Sequence, residues 1–196
     1  SNSITLQSAL NKTGYDLEEN IRLKDDFKST KDQIERATQK NDVLILSGGI
    51  SVGDYDFVGK SLNELNAQEV FYKIKQKPGK PMYFGILNNC YVFALPGNPA
   101  AALTCYYEYI LPALDQLTGK QNKGLQTVFL PVLEDYTKHG DRALFLKAKV
   151  TSKGVEIVKA QASSMLVSFV EANALAYIPY NTTKINKNDL VEIHFL

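Results

Sequence analysis

The chain has 196 residues, of which 44% are hydrophobic and 22% charged, and its formal net charge is +1. These proportions are typical of folded globular domains, and the length allows one large domain or two smaller ones. The near-zero net charge excludes a protein that holds nucleic acid or an anionic membrane by bulk electrostatics, so any anion site must be local.

The two cysteines, Cys90 and Cys105, lack the CxxC spacing of metal and redox sites. We expect both to be buried free thiols in a reducing compartment. No apolar run approaches the ~20 residues that cross a bilayer, and the polar start is not that of a signal peptide. We therefore expect a cytoplasmic protein.

The first half alternates helix and strand signals, which is typical of a parallel sheet covered by helices. In chain order, the patterns predict a helix over 4–10 ended by Gly14, a strand over 15–23, a helix capped by Ser29 or Thr30 and ending near Lys40, a central strand over 43–46, a helix over 57–65, a strand over 70–74, a hairpin of 82–86 with 91–95, and a long buried helix over 99–117.

Residues 118–126 are mostly small and polar, and we place a domain boundary there. The second half has no helix of comparable length. Its segments with partial apolar alternation predict strands over 128–133, 143–150, 155–160, 174–178 and 190–195. This pattern is typical of a small β barrel or sandwich.

A glycine-rich loop, SGGISVGDYD, follows the predicted strand over 43–46 directly. Glycine lets backbone N–H groups close on a phosphate or a pterin edge, and an open α/β sheet holds its ligand outside the carboxyl ends of the strands. The candidate binding residues of this loop are Ser47, Gly48, Gly49, Ser51 and Gly53. A tight turn without a ligand is the alternative.

A second loop, LPGNP, precedes the long helix, with Asn98 as its expected N-cap and Pro99 in the first helical position. The exposed amides and the positive end of the helix dipole favour an anion near Pro96, Gly97 and Asn98. A plain helix start is the alternative here.

Four lysines lie within eight positions: Lys73, Lys75, Lys77 and Lys80. Alternation would place the first three on one strand face, and Pro78 with the following glycine would then turn Lys80 back. Such a concentration of positive charge in a nearly neutral chain suits an oxyanion, although a solvated sheet edge is the common alternative.

Carboxylates complete the candidate set. Asp25 and Asp26 follow the predicted strand over 15–23, and Asp56 ends the glycine loop. Near lysines and a phosphate loop they suit Mg²⁺, which prefers oxygen ligands and shares substrate phosphates. Asp25 and Asp56 are the candidate metal ligands, although both also fit helix starts. Neither His139 nor His194 has a partner at metal-ligand spacing, so we expect no metal role for them.

Three strings, SGGISVGDYDFV, KPGKPMYFG and LPGNPAAAL, occur in this order and together resemble the molybdopterin-binding domain of the MoeA/gephyrin family of molybdenum insertases. The strings QASSM and ANALAYIP resemble the C-terminal β domain of that family. The resemblance covers nearly the whole chain. It implies a three-layer α/β/α domain with a mostly parallel sheet over 1–120, followed by a small all-β, barrel-like domain over 125–196.

The resemblance also implies an activity, the last step of molybdenum-cofactor synthesis. Molybdate is inserted into adenylylated molybdopterin, AMP is released, and Mg²⁺ is the usual metal. The family enzymes are homodimers, and a contact with the adenylyltransferase of the same pathway is a further expectation. The residues that match essential positions of the family are Asp25, Asp56, Lys73 and Lys77. The residues that match positions associated with molybdate or its product are Lys77, Lys80, Pro81, Arg142 and Ser163.

Two other functions stay open at this stage. One is the related molybdopterin adenylyltransferase, which shares the α/β domain, although the KPGKP segment and the appended β domain argue against it. The other is a scaffold, a role that gephyrin also has, which would need an exposed apolar patch of several hundred Å².

Overall fold

A computed structural model describes residues 2–50, 57–159, 161 and 168–196, with only the backbone at 168. The candidate residues Ser51, Gly53, Asp56 and Ser163 lie outside these ranges. The chain forms two compact units. Unit 1 comprises Ser1–Ile74 and Gly79–Cys105, and unit 2 comprises Lys75–Pro78 and Tyr106–Leu196. Among the described residues, no helix is long and apolar enough to cross a membrane.

The elements are numbered in chain order. Those of unit 1 are α1 (Asn2–Lys12), α2 (Phe27–Thr38), β1 (Val43–Ser47), α3 (Phe57–Glu64), β2 (Gln68–Tyr72), β4 (Tyr83–Leu87), β5 (Cys90–Leu95) and α4 (Pro99–Cys105). Those of unit 2 are β3 (Gln76–Lys77), the π-helical turn π1 (Tyr106–Ile110), α5 (Leu111–Leu117), β6 (Thr127–Pro131), β7 (Tyr136–Thr137), β8 (Ala143–Thr151), β9 (Gly154–Ile157), α6 (Ser168–Glu171), β10 (Ala174–Ile178), β11 (Lys184–Ile185) and β12 (Leu190–Phe195).

The sheet of unit 1 has the described order β1-β5-β4-β2. β1 and β5 are parallel, whereas β4 pairs antiparallel with both β5 and β2. The α/β class is confirmed, but the sheet is mixed rather than mostly parallel, and among the described strands β1 is an edge strand rather than a central one. The predicted hairpin is confirmed, because Asn88 and Asn89 take φ values of 53° and 64°, as a two-residue type I′ turn requires.

The core of unit 1 forms where α2 and α3 cover the sheet. Ile34 and Leu62 are each 1% exposed, and Val92 of β5 is fully buried. Each such side chain contributes roughly 1.5–3 kcal/mol by leaving water. Cys90 and Cys105 are buried free thiols, as predicted, and burial together with the charge of Asp42 raises the pKa of Cys90 to about 11.

Two expectations for the first forty residues are wrong. The segment over 15–23 is not a strand, and residues 16–22, which include Asp16, Glu18 and Glu19, are exposed. The cap of α2 is Asp26, whose carboxylate accepts a hydrogen bond of 2.7 Å from the amide of Ser29. α2 therefore begins before Ser29 and Thr30, the two residues expected to cap it.

The long helix predicted over 99–117 is present, but π1 divides it into α4 and α5. Pro112 lies in the first turn of α5. Because proline has no N–H to donate to the carbonyl of Glu108, four residues earlier, a regular α-helical bond cannot form there, which favours the wider turn.

The larger sheet of unit 2 has the order β3-β8-β10-β12-β6 in its described part. β9 pairs antiparallel with the C-terminal half of β8. Leu146, Ala176 and Ile193 lie in the core of this sheet. The β-rich C-terminal region is confirmed, but the described strands form no closed barrel. The segment over 118–126, expected to separate two domains, lies inside unit 2, and that boundary stays a prediction.

Candidate functional site

Two of the predicted loops leave the same edge of the sheet in unit 1. β1 and β5 run in parallel with Ser47 opposite Leu95, so the loops over 47–49 and 96–98 both begin at carboxyl ends of strands. The amide of Gly48 donates to the carbonyl of Leu95 at 3.1 Å. A Cβ added at Gly97 would lie 3.7 Å from the Gly48 Cα. The two loops therefore lie side by side at the carboxyl ends of β1 and β5, where open α/β sheets bind ligands.

Asn2, at the start of α1, joins the two loops. Its side-chain amide donates to the Ser47 hydroxyl at 2.7 Å and to the Gly97 carbonyl at 2.9 Å. This contact of Asn2 could not be predicted, because nothing in the local pattern at 2–12 indicates a contact with loops so distant along the chain. We now count Asn2 as part of this edge of the sheet.

The glycines of the first loop have a backbone conformation that other residues rarely adopt. Gly48 and Gly49 have φ values of +86° and +67°, in the left-handed region that glycine enters without a steric penalty. A Cβ at Gly49 would also lie 3.0 Å from the Val58 Cγ2. The bend that follows β1 therefore depends on both glycines.

The second loop starts α4 as predicted. Asn98 is its cap, since its side-chain oxygen accepts from the Ala101 amide at 3.3 Å. Pro96 is buried, whereas Gly97 is exposed.

The four lysines do not lie on one strand. β2 ends at Tyr72, and Lys73 has a φ of 63°, so the expected alternation of Lys73, Lys75 and Lys77 on one strand face is wrong. Lys73 and Lys80 belong to unit 1, whereas Lys75 and Lys77 belong to unit 2. All four residues are exposed.

A tight turn nonetheless reverses the chain between these lysines, as predicted. The Ile74 amide donates to the Lys80 carbonyl at 3.0 Å, and Gly79 has a φ of 97°. The Lys73 ammonium lies 4.7 Å from the centre of the Tyr72 ring, a cation–π contact.

In unit 2, the structure brings Lys77 beside the backbone that leads from Arg142. β3 pairs in parallel with the start of β8, with Lys77 opposite Leu144, and the Ala143 amide donates to the Lys75 carbonyl at 3.0 Å. Two candidate oxyanion residues that are far apart in sequence therefore lie on neighbouring strand ends.

An ion pair adds to this arrangement of β3 and β8. The Lys75 ammonium lies 3.0 Å from an oxygen of Asp141, and this hydrogen bond holds the pKa of Asp141 below its usual value. Both side chains are exposed, so the pair contributes little to stability. The charge of Arg142 also helps to lower the pKa of Asp141, whereas Lys77 takes part in no ion pair within the described part of the chain.

The remaining predicted residues occupy two places in unit 1. Asp25 is exposed and directly precedes Asp26, the cap of α2, while Pro81 is half-buried just before β4. Within the described ranges, no group of three or more His, Cys, Asp or Glu could hold a metal ion.

Comparison with known proteins connects these features to a family. The family described as "Probable molybdopterin binding domain" matches residues 1–116, which is more than half of the chain. The chain belongs to this molybdopterin-binding domain family. A second family, "MoeA C-terminal region (domain IV)", matches residues 130–196.

Individual relatives in this family match nearly all of the chain. Proteins named molybdopterin molybdenumtransferase are 27% identical over 98% of the chain in Staphylococcus aureus and 28% identical over 86% of it in Staphylococcus epidermidis. These matches span 47% and 41% of the relatives, so the chain spans about half the length of the curated relatives that it matches.

Solved structures support the same fold. A molybdopterin biosynthesis MoeA protein from Pyrococcus horikoshii is 26% identical with a TM-score of 0.81, covering all of this chain and 47% of that one. A molybdenum cofactor biosynthesis protein from Pyrococcus furiosus has a TM-score of 0.80 at 19% identity, covering all of this chain and 64% of that one. The family resemblance of the sequence is thereby confirmed.

Proposed function

We propose that this chain binds adenylylated molybdopterin and molybdate and takes part in inserting molybdate into molybdopterin, with release of AMP. The observation that carries the proposal is the meeting of the loops over 47–49 and 96–98 at the carboxyl ends of β1 and β5. Similarity to proteins named molybdopterin molybdenumtransferase over 98% of the chain supports it.

In this proposal the loops of unit 1 bind the phosphate end of molybdopterin. Glycines in the left-handed region let backbone amides approach an anion closely. Asn2 stabilises both loops, since it donates to Ser47 and to Gly97. The proposed contact residues are Ser47, Gly48, Gly49, Ser51, Gly53, Pro96, Gly97 and Asn98.

The cationic residues have separate roles. Molybdate is a dianion, and ammonium and guanidinium groups offer it charge-assisted hydrogen bonds. We assign two residues to molybdate: Lys77, in β3, and Arg142, which directly precedes β8, the strand paired with β3. The residues assigned to the phosphates or the product are Lys73, Lys80, Pro81 and Ser163.

Mg²⁺ fits the carboxylates of this proposal. Asp25 is exposed, and Mg²⁺ is usually held by one or two carboxylates together with waters and substrate phosphates rather than by a closed protein cage. Asp25 and Asp56 would hold the ion. Bound there, it would neutralise charge on the substrate phosphates.

In this proposal the protein contributes to catalysis by positioning the substrates and by electrostatic stabilisation. Molybdate must approach the dithiolene while both carry negative charge, and fixed cations lower that repulsion. Lys77 and Arg142 hold and orient the oxyanion, and the glycine loop holds the molybdopterin end. We further propose that the working enzyme is a cytoplasmic homodimer that contacts the adenylyltransferase of its pathway.

Calorimetric titration with molybdopterin–AMP and Mg²⁺ tests this function. We compare the unmodified chain with Lys77→Ala and with Lys149→Ala, which removes an exposed lysine of β8. Binding that weakens only in Lys77→Ala supports the proposal. Equal binding by all three proteins contradicts the role of Lys77, and binding of ATP without molybdopterin–AMP would identify an adenylyltransferase instead.

Gly97→Ala tests the loops in the same titration. The added methyl group meets no atom closer than 3.7 Å, so the fold should persist with a change in stability within about 0.5 kcal/mol. We expect weaker binding of molybdopterin–AMP because the methyl group fills space at the loop edge. Unchanged affinity would place the phosphate elsewhere.

A further inference from the structure

The ammonium of Lys138 lies at the base of the loop that carries Arg142. Lys138 is only 5% exposed. Its Nζ donates three hydrogen bonds to backbone carbonyls, to Gly140 at 2.9 Å, to Arg142 at 3.1 Å and to Tyr180 at 2.9 Å. An ammonium has three N–H donors, so these three carbonyls use its full capacity.

These bonds fix a short stretch of backbone that is also held at both ends. At one end, the Lys138 amide donates to the Thr183 carbonyl at 2.9 Å, and at the other the Ala143 amide donates to the Lys75 carbonyl at 3.0 Å. Between these anchors, the Lys138 side chain closes the turn on itself. Arg142 thus has a fixed backbone next to β3, the strand that contains Lys77.

The hydrogen bonds explain how the buried ammonium of Lys138 is accommodated. Burying a charge is costly unless hydrogen bonds replace its hydration, and three carbonyl dipoles do so. All three acceptors are neutral carbonyls. A neutral side chain of similar length would leave the carbonyls of Gly140, Arg142 and Tyr180 without this donor.

We propose that Lys138 is a positioning residue, which fixes the backbone of Arg142 so that its guanidinium is presented to molybdate. The inference rests on the proposed function, because it takes Arg142 as a molybdate ligand. Lys138 itself touches no substrate; it acts through Arg142.

A double-mutant cycle on molybdate affinity tests this dependence. The probe is molybdate, titrated into the unmodified chain, Lys138→Met, Arg142→Ala and the double variant. We expect Lys138→Met to weaken binding about 10-fold alone and to cause no further loss once Arg142 is alanine. Independent, additive losses would overturn the proposal, since they would mean that Lys138 acts other than through Arg142.

Two further variants control for folding. Lys184→Met removes a lysine whose ammonium lies 3.6 Å from Asp135 in an exposed pair, and it should leave molybdate affinity unchanged. Lys138→Gln keeps two N–H donors and replaces Lys138→Met if that variant does not fold. It should lose less affinity than Lys138→Met and show the same dependence on Arg142, and full affinity in Lys138→Gln would overturn the proposal.

Amide hydrogen exchange separates this inference from the proposed function. If the unmodified chain binds no molybdate, the proposed function fails, and Lys138 is judged by exchange at Arg142 and Ala143. We expect exchange there about 10-fold faster in Lys138→Met than in Lys184→Met. Unchanged exchange would show that Lys138 does not fix this backbone.

Discussion

His194 lies between two carboxylates of unit 2. Its Nδ1 is 2.8 Å from an oxygen of Glu108 in π1, and its Nε2 is 3.2 Å from an oxygen of Glu192 in β12. The His194 side chain is 13% exposed, and the ring of Tyr177 stacks on it. The sequence predicts no role for His194, because the partner from π1 is distant along the chain.

These carboxylates make the stability of unit 2 depend on pH. Burial disfavours the imidazolium, but hydrogen bonds and charges of Glu108 and Glu192 outweigh it and raise the pKa of His194. A group whose pKa is raised by folding stabilises the protein below its unfolded pKa, near 6.5, and that stability is lost as the pH rises through the folded pKa. We therefore expect the free energy of unfolding to fall above about pH 6.5.

Urea unfolding at stepped pH measures this loss. His194→Gln should remove the decrease in the free energy of unfolding. In the unmodified chain the size of that decrease measures the pKa shift of His194, at about 1.4 kcal/mol per pKa unit. His139→Gln changes an exposed histidine of the same unit and should keep the decrease. The same pH profile in all three proteins would rule out the His194 cluster as its origin.

At the scale of elements, Asp115 links α5 to the segment that follows it. Its side chain is 5% exposed and lies 2.9 Å from the Lys120 ammonium. It also accepts from the Gly124 amide at 2.8 Å. Asp115→Ala removes the acceptor of a charge-assisted bond, so we expect a loss of about 1.5–3 kcal/mol in the free energy of unfolding, measured by urea denaturation.

Asp115→Asn is the matched control for this prediction. It keeps an oxygen acceptor for the Gly124 amide but removes the negative charge beside Lys120. We expect a smaller loss than in Asp115→Ala. Equal stability of the alanine variant and the unmodified chain would mean that the segment is held by other contacts.

Turns and helix starts could be predicted from the sequence where they depend on residues within a few positions of one another. The turn at Asn88 and Asn89 and the start of α4 at Asn98 follow from the backbone preferences of those residues. The prediction of a strand over 15–23 is wrong. Three carboxylates, Asp16, Glu18 and Glu19, lie in this segment, and residues 16–22 are exposed.

At the scale of the whole molecule, the limit of sequence reasoning is long-range pairing. The loops over 47–49 and 96–98 could be placed together, because parallel strands put their carboxyl ends at one edge. The pairing of β3 with β8 could not, since β3 has only two residues and no periodicity of its own. For that reason the lysines were expected on one strand face, whereas the structure divides them between two units.

Gln76 shows that unit 2 depends on residues from the middle of the chain. It is 3% exposed, its side-chain amide donates to the Pro78 carbonyl at 2.9 Å, and it accepts from the Tyr109 hydroxyl. Gln76→Ala leaves these groups without that partner, which costs about 1–3 kcal/mol. We expect amide hydrogen exchange to accelerate in β8 and β10 but not in β5. The control Gln7→Ala, on the exposed face of α1, should leave exchange unchanged in all three strands. Faster exchange in β5 and unchanged exchange in β8 would assign Gln76 to unit 1.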